Sequence, residues 1–202
     1  MPLSQNRLKK TLRYSYLDGI FAAVMVGFTQ DYFVPFLLLL GATARHVSIL
    51  SALPSLCSAL LQLKSPDFAE KLKSRRKTIL IFVGLQALML VVMSLAAFKG
   101  GTVPAVFIIL VVCFATFGAL MMPPWGSLMS DLISADKRGD YFGWRNRNLG
   151  FVTMVASFAG GFILHRMTSI NIFVGFSIIF GGAGLCRMIS WAFLRAMHEP
   201  PV

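Results

Sequence analysis

The sequence predicts an all-α fold: a polytopic membrane protein with six transmembrane helices. Three observations lead there. Six apolar stretches follow one another with only short polar segments between them. Hydrophobic residues make up 56% of the chain and charged residues 13%, where a soluble domain carries about 25% charged. Mean hydropathy is +0.73. No water-soluble core hides that much apolar surface, and in lipid a chain satisfies its backbone only as helices or closed barrels.

The stretches cover residues 17–40, 47–63, 79–98, 104–129, 151–164 with a 143–150 lead-in, and 170–194. A hydrocarbon core about 30 Å thick needs about 20 helical residues. The second and fifth runs reach that length by borrowing flanking residues. Turns at 41–46, 99–103 and 166–169 are short, so each pair of runs is expected to pack as an antiparallel hairpin. The other connections, 64–77 and 130–147, are longer. The expected division is a tail over 1–16, a bundle over 17–194, and a polar segment from 195 to 202.

A net charge of +11 would suggest nucleic acid in a soluble protein. Here its distribution argues for a bilayer and against nucleic acid. Arg7, Lys9, Lys10 and Arg13 precede the first run. Lys64, Lys71, Lys73, Arg75, Arg76 and Lys77 fill one long connection, and Lys137, Arg138, Arg145 and Arg147 the other. The alternate turns hold only Arg45, Lys99 and Arg166. Positive segments stay cytoplasmic, so both termini are expected there, in a plasma or inner membrane, beside anionic headgroups. No cleavable leader is evident in the first run.

Asp31 stands out within the runs. It lies about 14 residues into the first, roughly 21 Å along a helix axis. An aspartate at a helix centre costs about 2.5–3.5 kcal/mol to insert, so it must be protonated, paired or wet. Gln30 and Tyr32 flank it, and Pro35 cannot donate to the Asp31 carbonyl. A polar trio beside a freed backbone acceptor is how a midplane solute site is built. The other reading is that Asp31 lies near the outer interface and ties a bundle contact. Desolvation in a cavity would raise the carboxyl's pKa and permit proton exchange; a permanent cation partner would keep it ionised.

The remaining features have ordinary readings. Asp18 suits a helix N-terminus at the inner boundary. Pro54 and the Pro123-Pro124 pair are expected to bend their helices. Gly150, Gly160, Gly161, Gly181, Gly182 and Gly184 read as packing positions. Arg187 is expected to snorkel, and His165 and Arg166 to sit at the outer edge. Cys57, Cys113 and Cys186 read as small hydrophobes. No HExxH, serine-triad or phosphate-loop motif occurs, which argues against an enzyme, and no cofactor motif is present. Three scattered histidines make no metal site unaided.

Two connections carry a resemblance. Pro66-Asp67-Phe68-Ala69-Glu70-Lys71-Leu72-Lys73-Ser74-Arg75-Arg76-Lys77 resembles the signature loop of the major facilitator superfamily. Glu70-Lys71 match its acidic–basic pair and Arg75-Arg76-Lys77 its basic run. Pro66 and Ser74 stand where the family has glycines, and Lys73 reads as one extra residue. Ser130-Asp131-Leu132-Ile133, followed by Arg138-Gly139-Asp140-Tyr141-Phe142-Gly143, is similar to the family's 4–5 loop.

The resemblance implies the N-terminal half of a twelve-helix fold that transports a small solute by alternating access. A non-transporting membrane scaffold is the other reading. It implies a cytoplasmic gate built from Glu70, Lys71, Arg75, Arg76, Asp131, Arg138 and Gly139. Asp131 can pair with a guanidinium in one state and lose it in another. Residues 195–202 would begin the linker to a second six-helix half, supplied by the same precursor or by another chain. That half should cover Gln30 and Asp31. The substrate is not legible in the sequence.

Overall fold

The computed structural model describes residues 5–197. They form eight helices: α1 (Gln5–Gly27), α2 (Phe33–Leu39), α3 (Ala44–Gln62), α4 (Ser65–Leu72), α5 (Arg75–Phe98), α6 (Pro104–Leu132), α7 (Ala135–Thr168) and α8 (Ile172–Ala196). Five of them, α3 and α5 to α8, are long and apolar enough to cross a membrane. The all-α membrane architecture therefore holds, with one departure. The first apolar run is not a single helix.

Residues 28–32 break it into α1 and α2. The Thr29 hydroxyl donates back to the Met25 carbonyl at 2.9 Å, and a tight turn follows, Tyr32 N to Thr29 O at 3.0 Å. Pro35 consequently falls in the first turn of α2, where its missing N–H is no loss. At its other end α1 reaches back through the expected tail to Gln5. Residues 198–202, with His198, lie outside the described residues.

The long connections are mostly helical. Ser65–Leu72 forms α4, closed by Lys73 in the left-handed conformation at φ 48°. Ser74 then caps α5, accepting from Lys77 N at 3.2 Å. The left-handed turn thus belongs to Lys73, and Ser74 begins the next helix rather than replacing a turn glycine. Between α6 and α7 only Ile133 and Ser134 remain outside helix. Both prolines of the 123–124 pair lie inside α6.

Helix α5 packs on α8 and α6, α3 on α6, and α1 on α8 and α7. Two cores result. One is aromatic, built around Phe36, Phe107, Phe176 and Phe180, with Phe36 and Phe107 rings 4.8 Å apart. The other, around Trp125, Leu128, Met129 and Leu194, gathers the start of α5 with the ends of α6 and α8. Close approach of α1 to α7 depends on Gly27: a Cβ there would lie 2.5 Å from the Thr153 carbonyl oxygen. Gly160 likewise leaves room for the Tyr32 ring. Gly150 meets nothing within 4 Å, so it is not a packing position within this chain. Only 11% of the apolar window of α3 and of α7 is buried, against 39% for α5 and α8. Those two helices keep the largest faces for lipid or another protein surface.

Candidate functional site

Helix α7 organises the polar interior. Arg145, Leu149, Thr153, Ser157, Gly161 and His165 stand four residues apart, an oblique ridge along one side of the helix. The ridge lines two cavities, one against α1 and one against the 28–32 turn, and Gly150 and Thr153 border both of them. About 18 Å of helix separates Arg145 from Ser157.

The cavity toward the C-terminal end of α7 is termed outer and the other inner, after the expected topology; the outer one, about 720 Å³, includes Asp31, Tyr32, Thr153, Ser157 and His165. Asp31 Oδ2 accepts a hydrogen bond from Ser157 Oγ at 2.7 Å. The Tyr32 hydroxyl donates to the Ser157 carbonyl. Asp31 thus faces α7 and not an unpartnered helix flank. Gln30 is exposed and does not border this cavity. Of the expected trio, the structure joins two members and adds Ser157. Asp31 itself is exposed, so its desolvation requires a second surface.

The inner cavity, about 260 Å³, is bordered by Asp18, Arg145, Arg187, Trp125 and Thr153. Its charged residues are buried: Asp18 is 4% exposed, Arg145 8% and Arg187 2%. Ser190 links two of them, donating to Asp18 Oδ1 at 2.6 Å and accepting from Arg187 Nη1 at 3.1 Å. Arg187 Nη2 reaches the Met121 sulfur at 2.9 Å. The Arg145 guanidinium lies 4.8 Å from the Trp125 ring centroid and donates to the Ser15 carbonyl at 3.3 Å. No carboxylate among the described residues is within ion-pair distance of either arginine.

These residues correct three expectations. Asp18 does not open a helix; it lies well inside α1 and in its buried face. Arg187 does not snorkel, because it falls in the stripe Phe176, Phe180, Ala183, Arg187, Ser190, Leu194 that α8 buries. Arg145 is not a loop charge, because α7 starts ten residues earlier. The signal for Arg187 was present in the sequence as helical spacing.

The expected gate residues divide into three groups. Arg75 Nη1 donates to Asp131 Oδ2 at 2.7 Å and to Ser127 Oγ at 2.9 Å, tying the start of α5 to the end of α6. Glu70 borders the same groove, about 900 Å³, with Pro124 and Asp131. Arg76 and Arg138 serve helix ends instead. Arg76 Nη1 donates to Met197 O at 2.9 Å, and Arg138 to Ile133 O at 2.9 Å and Ser130 O at 2.5 Å. Lys71 and Gly139 are exposed and border neither that groove nor the two cavities along α7. Asp131 keeps 51% of its side chain exposed, and ion pairs of that kind are worth about 0–1 kcal/mol. Such a bond is easily exchanged.

Among the described residues no three His, Cys, Asp or Glu side chains gather as metal ligands. A family model described as Major Facilitator Superfamily matches residues 19–202. No curated protein and no solved structure matches the chain.

Proposed function

Since this chain belongs to the major facilitator superfamily, we propose that it moves a small solute across the membrane by alternating access. It acts as one half of the machine, with a second six-helix half against the α1–α7 face. Both termini lie in the cytoplasm, and the Arg75–Asp131 pair is the inner latch. The chain is an integral membrane protein of a transporter family; the cycle and the partner are our reading.

The Arg75–Asp131 contact carries this reading. It ties two spanning helices at one end of the bundle, in the two segments that hold the family motifs. It is short yet partly solvated, so a competing partner on a moving half exchanges it at small cost. Asp31, Tyr32 and Ser157 would meet the solute or a coupling proton farther along the same face.

A charge-swap experiment tests the latch. Asp131→Arg or Arg75→Asp alone should raise labelling of a cysteine at Ser157 by an impermeant maleimide from the latch side. The double swap should restore the wild-type rate. Equal labelling in all four proteins, each inserted normally with its companion half, would confine the pair to structure.

A further inference from the structure

We propose, building on the transport reading, that Arg145 and Arg187 form the subsite for a single carboxylate group of the transported solute. The first argument is charge. One aspartate and two arginines border the inner cavity, so with Asp18 ionised the cluster carries an excess of one positive charge. Arginine does not shed its proton in proteins, and a buried charge left without a counter-charge costs several kcal/mol. A monoanion entering the cavity removes that excess. A dianion would overshoot it.

The second argument is the unused donors. Each guanidinium offers five N–H groups. The hydrogen bonds of Arg187 go to a serine hydroxyl and to a thioether, a weak acceptor; Arg145 bonds a backbone carbonyl. The Nε of both is buried without a partner. Asp18 does not take these donors: its Oδ1 accepts from Ser190, and neither of its oxygens lies within ion-pair distance of either guanidinium. Two guanidinium forks with spare N–H groups match the geometry of a carboxylate, which accepts two parallel bonds.

The third argument is room. Arg145 lies over Gly19, where a Cβ would stand 2.5 Å from Nη2. The missing side chain thus lets the guanidinium reach the cavity. A volume of about 260 Å³ is below that of a typical whole-ligand pocket, so it suits a headgroup. Gly150 and Thr153 border the outer cavity as well, so the rest of the solute would lie on that side.

Ligand-detected saturation-transfer NMR on the full chain in an uncharged detergent tests the subsite. The probe is acetate, with acetamide as its uncharged isostere. Acetate should give a saturable signal and acetamide none. Arg145→Gln should weaken acetate by at least about tenfold, while Arg45→Gln, far from the cavity, should not. Asp18→Asn should act in the opposite sense and tighten acetate by about tenfold, since it removes the competing negative charge. If Arg145→Gln does not fold, Arg187→Lys, which keeps the charge and loses the fork, takes its place and should also weaken binding. Equal signals from acetate and acetamide would overturn the proposal, as would binding unmoved by the arginine and Asp18 variants. Displacement of acetate by chloride or phosphate at lower concentration than acetate itself would overturn the carboxylate assignment. The latch test is independent of these results, so transport can stand where the subsite fails.

Discussion

Removing the Ser190 hydroxyl is expected to destabilise the bundle by about 2 kcal/mol. Among the described residues that oxygen bridges Asp18 and Arg187, at 2.6 Å and 3.1 Å. Hydrogen bonds to charged groups contribute about 1.5–3 kcal/mol each, but two that share one hydroxyl do not add. Neutral polar contacts between membrane helices average only about 0.6 kcal/mol, because the separated helices find other partners. The charge on both neighbours therefore decides the magnitude. Ser190→Ala should be measured by reversible unfolding in mixed micelles of increasing dodecyl sulfate content, with Asp18→Asn and the double variant alongside. In the Asp18→Asn background the serine deletion should cost about 1 kcal/mol or less. A loss of about 0.6 kcal/mol or below in the wild-type background, or strict additivity of the two variants, would refute a charge-coupled bridge.

Three further outcomes follow from other parts of the fold. Lys73→Gly should stabilise the protein by about 0.5–1 kcal/mol, since a left-handed lysine costs about 1–2 kcal/mol and glycine returns part of that as chain entropy; an unchanged midpoint contradicts the φ of 48°. Phe36→Ala should cost about 3–5 kcal/mol, because its ring is fully buried among four other phenylalanines, and a cost near 1 kcal/mol would mean that the site collapses to fill the space. Gly27→Val should separate α1 from α7 and lower stability, read by the same unfolding assay, while Gly150→Val should not, since a Cβ added at Gly150 would meet no neighbouring group within 4 Å.

The fold was legible where hydropathy rules it. Runs 79–98 and 104–129 begin or end at the termini of α5 and α6, because lysine, glycine and proline interrupt the apolar pattern there. Hydropathy averages over turns, however, so the break at 28–32 did not register. Pro35, expected to free one carbonyl, marks the first turn of a new helix. The charged cluster escaped for a related reason. Distance from the ends of the apolar runs puts Asp18 at a boundary and Arg145 in a connection, but α1 and α7 extend well beyond those runs. Arg187 needed the azimuth of its helix, which the spacing of Phe176, Phe180, Ala183 and Leu194 supplies. The Arg75–Asp131 contact was legible because both residues sit in recognisable motifs. Ser157 carries no motif, and only its place on the 145–165 ridge connects it to Asp31.

Thr153 borders both cavities, so one engineered position samples the whole proposed pathway. A cysteine there, in the chain reconstituted with its companion half, should react with an impermeant maleimide added to either face of sealed vesicles. Prior labelling from one face should block labelling from the other. Alternating access predicts both results, with the side preferred shifting when Asp131 is neutralised to asparagine. Reaction from one face only, unmoved by Asp131→Asn, would contradict the account.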